Sequence, residues 1–278
     1  MSKLSDRLND RVAVVTGSGR GIGRATALRL AADGAAVVVN DLDESVANEV
    51  VKEIQDGGGR AIAVVGNCAV RADADRLLAG AAEEFGKVDI LVNNAGTTRD
   101  KIFHTLDEDS FNLVLDASLR TTFNACQAAM PYMRQPAKNE IAERGTPAYH
   151  RKIINTSSLV AFTGNIGQFN YTAAKGAILS ITKTLALELG PFWINVNAVA
   201  PGFVETRLTA AHGSASHQAT GLGIPEEARR NVLTTISMGR LGQPEDIAKV
   251  TAFLAGPDSD YVSGVTIPVN GGAYGGMG

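Results

Sequence analysis

The sequence predicts an α/β protein: one doubly wound parallel sheet of about seven strands with helices on both faces. Three observations carry that expectation. Short β-branched runs alternate with longer helical stretches, which is the rhythm of βαβ units. The runs are apolar enough to be covered on both faces. The turn after the first run is rich in glycine and opens a helix, the arrangement that binds dinucleotides in such sheets. No composition break and no internal repeat divides the chain, so residues 1–278 read as a single domain.

The first run, VAVVT (Val12 to Thr16), leads into TGSGRGIGRA (Thr16 to Ala25). Glycines 17, 21 and 23 let the backbone turn tightly and approach a pyrophosphate, and the N–H groups that open the next helix face the anion. That helix carries Ile22, Leu28 and Leu30 among its apolar positions. The second run, VVVN (Val37 to Asn40), ends on Asp41, about where a carboxylate would accept from the adenosine ribose hydroxyls. A 2′-phosphate would meet like charge there, so Asp41 favours NAD over NADP. Arg20, in the turn, is the competing signal, because a guanidinium can serve a 2′-phosphate as well as a pyrophosphate. The runs AIAVV (Ala61 to Val65), VDILVN (Val88 to Asn93), KIINT (Lys152 to Thr156), INVNAVA (Ile194 to Ala200) and TIPVN (Thr266 to Asn270) complete the sheet.

Two stretches interrupt the rhythm. Gln135 to Arg151 carries two prolines and mixed charge, and reads as an exposed excursion between a helix and the fifth strand. Thr209 to Glu227 is rich in Gly, Ser and Ala and follows the sixth strand on the edge where ligands bind, so a substrate lid is expected over residues 205–235.

The interspersed charges sum to −3 with a pI near 5.8, which argues against a nucleic-acid footprint or a polybasic membrane patch. No run approaches a membrane span of ~18 apolar residues, and no secretory signal is evident, so a cytoplasmic protein with small-molecule partners is expected. Cys68 and Cys126 lack a CxxC spacing and are expected to be buried thiols, neither disulfide-bonded nor metal ligands. The sequons at Asn155 and Asn170 are chance matches by the same logic. His212 and His217 lie five apart without nearby acids or thiols, so no metal is expected. His104 and His150 read as solvent-facing or capping, and Trp193 as a half-buried anchor.

The stretch QFNYTAAKGA (Gln168 to Ala177) places Tyr171 and Lys175 one helical turn apart, on one face. A free phenol titrates near pH ~10, and a neighbouring cation stabilises the phenolate and lowers that value. The pair is therefore expected to trade protons, although a core tyrosine beside a snorkelling lysine has the same spacing.

In combination these motifs resemble the short-chain dehydrogenase/reductase family, over nearly the whole chain. TGSGRGIG is similar to the family's T-G-x-x-x-G-x-G cofactor turn, and NNAG (Asn93 to Gly96) to its signature after the fourth strand. IINTSS sets Ser158 thirteen residues before Tyr171, and PGFVET (Pro201 to Thr206) resembles the segment that holds the nicotinamide carboxamide. NNAGTTRD, APGFVETRL and the closing VNGG are most similar to 3-oxoacyl-[acyl-carrier-protein] reductases and hydroxyacyl and hydroxysteroid dehydrogenases.

The resemblance implies a Rossmann-type fold and a catalytic set of Ser158, Tyr171 and Lys175. Tyr171 would be the general acid or base, Lys175 would lower its pKa and hold the nicotinamide ribose, and Ser158 would steady the substrate oxygen. The implied cofactor contacts are Gly17, Gly19, Arg20, Gly21, Ile22, Asp41, Leu42, Asn67, Cys68, Asn94, Ala95, Gly96, Tyr171, Lys175, Pro201, Gly202, Val204 and Thr206. The expected reaction interconverts a secondary alcohol and a ketone with NAD, on a 3-hydroxyacyl or 3-oxoacyl thioester. A hydroxysteroid or other bulky alcohol is the rival substrate, and a non-catalytic dinucleotide sensor is the rival function.

One position departs from the family. Where it carries asparagine in an N-x-x-x-x-F pattern, this chain has Ser118 in SLRTTF (Ser118 to Phe123), a shorter arm for holding the water of a proton relay behind Lys175. Asn112 and Asn124, six residues to either side, fall on the wrong helical face to substitute. The helix after Tyr171 is small or apolar on the face of Ala173, Ala177, Ser180, Thr184 and Leu187, which calls for a second cover and hence a homodimer or tetramer. Family members resembling this chain pair through these helices.

Overall fold

The computed structural model describes residues 7–210, 213 and 223–273. Seven parallel strands form one sheet in the order β3-β2-β1-β4-β5-β6-β7. They are β1 (Val12–Val15), β2 (Ala36–Val39), β3 (Arg60–Ala63), β4 (Ile90–Asn93), β5 (Arg151–Thr156), β6 (Ile194–Pro201) and β7 (Thr266–Val269). Each lies within two residues of its expected bounds. Alternation inside β1 divides the core. Ala13 and Val15 pack with Val37 and Val39 on one face, beneath Ala27 and Leu30 of α1 (Gly21–Ala32) and Ile247 of the late helix Pro244–Ala255. Val12 and Val14 face the other way, against Leu77 and Leu78 of α3 (Arg71–Phe85) and Met133. Between α1 and α3, α2 (Glu44–Asp56) follows β2. The chain reverses direction across the sheet between β1 and β4, and the crevice at their carboxyl ends is where ligands of such sheets bind.

Helix α4 (Glu108–Leu115) passes through a π-helical turn at Asp116–Arg120 into α5 (Thr121–Arg144). The expected excursion over Gln135 to Arg151 is corrected here: α5 continues to Arg144 with Pro131 and Pro136 inside it, and ends at Gly145, whose left-handed backbone (φ 83°) returns an N–H to Ile141. Each proline forfeits a single backbone donor, while the far end of the helix is fastened to the sheet. Glu140 receives Arg151 Nη2 at 2.7 Å and the Ala148 N–H at 2.8 Å. Arg151 and Lys152 are themselves buried. Only the short link to β5 is irregular.

After β5 come the short α6 (Val160–Thr163) and the long α7 (Phe169–Leu189), which crosses to β6. Helix α8 (Glu226–Thr235) contains no fully buried residue, and α9 is Pro244–Ala255. Much of the Thr209 to Glu227 loop, including His212 and His217, lies outside the described residues. Asn155 and Asn170, the two sequons, are fully buried.

Candidate active site

The glycine turn is clamped from behind by the segment after β4. The Thr16 hydroxyl accepts the backbone N–H groups of Asn94 and Ala95 at 3.0 and 3.1 Å. The Asn94 amide returns hydrogen bonds to the carbonyls of Thr16 and Gly17 at 3.1 and 2.9 Å. Contact is so close that a Cβ on Gly23 would stand 2.2 Å from the Gly17 oxygen, and one on Gly17, whose φ is +60°, 2.8 Å from the Ala95 Cα. Thr206, from the segment after β6, approaches Gly21 from the other side. Helix α1 has neither a capping side chain nor an acid in its first turn, so its N–H groups are left for an anion. A pyrophosphate fits this donor set.

At the end of β2, Asp41 Oδ2 accepts the Gly19 N–H at 3.0 Å and Oδ1 the Asp43 N–H at 3.3 Å. Arg20 pairs with Asp43 at 2.8 Å, and that guanidinium holds the Asp43 carboxyl below its usual range. Leu42, largely exposed, stands beside them. Asn67 closes the same edge, accepting the Ala69 N–H, whereas the Cys68 thiol faces inward to Asn40 at 3.4 Å and burial pushes it up to about 12. Gly202 lies so close to Asn270 that a Cβ would come within 2.9 Å of it. Val204 is buried, and it forms a parallel bridge to Gly242.

Ser158, Tyr171 and Lys175 converge at the carboxyl end of β5. The Ser157 hydroxyl donates to the Lys175 carbonyl at 2.8 Å, fastening α7 to the strand end. Lys175 is buried, and its Nζ donates to the Thr156 carbonyl at 2.8 Å. With no carboxylate beside it, burial alone brings its pKa down to about 8. The Tyr171 phenol departs from expectation: its pKa is raised, not lowered. Burial is the largest cause, Asp100 adds to it, and the hydrogen bond with Ser158 works against it. The Lys175 ammonium is turned toward a backbone carbonyl with its Nζ 5.7 Å from the Tyr171 ring centre, and so does not offset the desolvation.

Asn170, which the sequence marks only as part of a chance sequon, is made central by the fold. It is fully buried, its amide donates to the carbonyls of Arg99 and Ser110 at 3.1 Å each, and its oxygen accepts the Tyr171 N–H at 2.8 Å. It therefore ties the first turn of α7 to both the loop after NNAG and α4. An asparagine beside the tyrosine in the first turn of a helix was the available signal. Asn170→Ala is expected to cost about 1–3 kcal/mol of stability by leaving buried carbonyls unpaired and to lower activity. Thermal unfolding and turnover measured together check this, and an unchanged melting temperature would refute it.

Ser118 is completely buried in the π-helical turn, and its hydroxyl has no hydrogen-bond partner among the described residues. A Cβ on Gly96 would lie 3.1 Å from Ser118 Oγ and 3.4 Å from Lys175 Nζ, so both groups border the same glycine. Asn124 is excluded from that place, since its amide is spent on the carbonyls of Cys68 and Ala69 at 2.9 Å each.

Comparison with known proteins agrees with this geometry. The family model described as Enoyl-(Acyl carrier protein) reductase matches residues 17–274. The chain is 37% identical to the 3-oxoacyl-[acyl-carrier-protein] reductase FabG of Thermotoga maritima over 266 residues, 96% of this chain and 98% of that protein. It is 42% identical to the short-chain reductase protein NovJ of Streptomyces niveus over 264 residues, 95% and 94% of the two chains. The FabG of Staphylococcus aureus strain Mu50 is 38% identical over 263 residues, 94% and 97% of the two chains. With its glycine turn set against a seven-stranded parallel sheet and a Ser-Tyr-Lys cluster at the end of β5, the chain belongs to the short-chain dehydrogenase/reductase family of oxidoreductases.

Proposed function

We propose that this oxidoreductase is a cytoplasmic, NAD-dependent enzyme that interconverts a secondary alcohol and a ketone, with a 3-hydroxyacyl/3-oxoacyl thioester as its substrate class. The observation that carries the reading is the convergence of Ser158, Tyr171 and Lys175 beside the clamped glycine turn. A nicotinamide bound along that turn would supply or accept the hydride. The Ser158 hydroxyl holds the substrate oxygen, Tyr171 gives up or takes the proton at that oxygen, and Lys175 anchors the ribose side of the cleft. A phenol pushed above its usual pKa is protonated at neutral pH, which suits proton donation during carbonyl reduction. The thioester class comes from the FabG relatives, which are named as 3-oxoacyl-[acyl-carrier-protein] reductases.

Preference for NAD is supported by the charges at the end of β2. Asp41 holds a negative charge against the place of a 2′-phosphate, and Arg20 in the glycine turn is engaged by Asp43. The two free, buried cysteines suit a reducing cytoplasm, and no helix among the described residues is long and apolar enough to cross a membrane. Residues 205–235 would act as a substrate lid on the single domain. Their described part is hinged by Arg229, which donates to the Thr209 carbonyl at 2.7 Å and pairs with Glu205 at 3.0 Å. Assembly into a dimer or tetramer is supported by apolar side chains left uncovered on α5 and α7, where Phe123, Phe169 and Leu187 are 55%, 51% and 81% exposed.

A panel of 3-oxoacyl thioesters, hydroxysteroids and simple ketones, assayed with NADH and NADPH, tests the reading. The highest kcat/KM is expected for a 3-oxoacyl thioester with NADH. A hydroxysteroid preference would replace the substrate class, and NADH binding without turnover on any substrate would make the protein a sensor. If Ser118 holds the relay water less firmly than a longer amide would, Ser118→Asn should raise kcat by about tenfold, the scale of ~1.4 kcal/mol in a barrier, with cofactor affinity unchanged. A folded Ser118→Asn protein with unaltered kcat and solvent isotope effect would sink the relay.

A further inference from the structure

At the amino edge of the sheet, opposite Ser158 and Tyr171, a cavity of about 390 Å³ opens where β1, β5 and β6 begin. Its wall includes Arg7, Arg11, Tyr149, His150, Lys152 and Trp193. The His150 ring stacks on the Trp193 indole with centroids 4.9 Å apart and planes 17° from parallel. Asn195 fixes the imidazole, its Oδ1 lying 2.7 Å from His150 Nδ1. The wall therefore has a flat aromatic part that is already oriented.

Its charges are unevenly matched. Lys152 is paired with Asp260 at 2.7 Å, and Arg7 is paired with Asp258. Arg11 has neither an ion pair nor a hydrogen bond from its side chain among the described residues. Its guanidinium lies 3.7 Å above the Tyr149 ring, and Tyr149 is held in turn by its hydroxyl, which donates to the buried Asp89 carboxylate at 2.5 Å. The ring holds the Arg11 cation from one side while its side-chain N–H donors have no partner among the described residues.

The backbone adds an independent sign. Asp10 and Trp193 are the non-glycine residues with left-handed φ among the described residues, at 59° and 51°. One immediately precedes Arg11 and the other is in the cavity wall. For a bulky side chain such as Trp193 this conformation is a true outlier, and strain of this kind gathers where a fold must aim a side chain at a ligand. Trp193, read from the sequence as a half-buried anchor, is 39% exposed.

We propose that this cavity is a second ligand site, separate from the active site, which takes a small aromatic anion: a flat ring against the His150–Trp193 pair and a carboxylate or phosphate on Arg11. The size falls in the range of small-molecule pockets, and a planar guanidinium grips either anion through paired hydrogen bonds. β5 and β6 start at this cavity and end beside Ser158 and Pro201, so the two sites occupy opposite edges of the sheet and share no residue.

Trp193 is the single tryptophan of the chain, so its fluorescence reports on this cavity directly. The full chain would be titrated with benzoate, with phenyl phosphate and with the neutral benzyl alcohol. A saturable change is expected with both anions and none with the alcohol, and the tighter anion identifies the head group. Arg11→Gln, which removes the charge-assisted contact, and, separately, His150→Ala, which removes a stacking face, should each weaken benzoate binding by about tenfold or more, with circular dichroism confirming that each is folded. No saturation with either anion, an equal response to the alcohol, or wild-type benzoate affinity in both folded variants would overturn the proposal.

Discussion

Tyr171→Phe is expected to lower turnover by roughly a hundred- to ten-thousand-fold, the usual contribution of a positioned proton donor, while leaving NADH affinity nearly unchanged. Phenylalanine keeps the ring and removes only the hydroxyl that faces Ser158. Lys175→Ala should damage both turnover and cofactor binding, because on the proposed reading the buried ammonium anchors the ribose side of the cleft beside the phenol. Its position explains why the loss cannot be repaired locally: Lys175 is buried and hangs from the Thr156 carbonyl. The pH profile carries the same claim. Burial holds the free Tyr171 phenol above its usual value and Lys175 at about 8. Carbonyl reduction needs a protonated phenol, which persists, and a charged lysine, which is lost as pH rises. In reduction, kcat/KM is therefore expected to be level on the acid side and to fall as pH passes about 8. Steady-state kinetics with NADH titrations separate these outcomes, and equal, mild effects from the two substitutions would mark a structural pair.

Replacing Asp41 should change cofactor choice more than any other single substitution. Asp41→Asn keeps an acceptor for the Gly19 N–H and removes only the charge. It is expected to improve NADPH binding by about tenfold, equivalent to ~1.4 kcal/mol, with little effect on NADH. Asp41→Ala removes the acceptor as well, so it should narrow the preference while also weakening NADH. The comparison isolates repulsion of the 2′-phosphate from attraction of the ribose hydroxyls. A wild-type protein that already binds NADPH more tightly than NADH by titration would refute the assignment and give the decision to Arg20, its pairing with Asp43 notwithstanding.

Much of this molecule was legible in the order of its residues, for physical reasons that are local. A strand covered on both faces is rich in apolar residues, so VAVV and AVVV announce themselves. A backbone that must pass within 3 Å of another has to be glycine, so Gly17 and Gly23 mark the cofactor turn before any contact is known. The four-residue spacing of Tyr171 and Lys175 puts them on one helix face without help from the rest of the chain. Other features depend on what lies across the fold. Pro136 reads as part of an exposed excursion, yet the helix runs on through it because Glu140 is held by Arg151, which is near it only once β5 has joined the sheet. Asn170 reads as an ordinary polar residue until Arg99 and Ser110 bring it their carbonyls. The direction of the Tyr171 shift reversed because the sequence shows that a cation is one turn away, whereas burial and the Thr156 carbonyl determine where its charge is spent. Spacing along the chain fixes which groups can meet; desolvation and the partners supplied by distant segments decide what they do there.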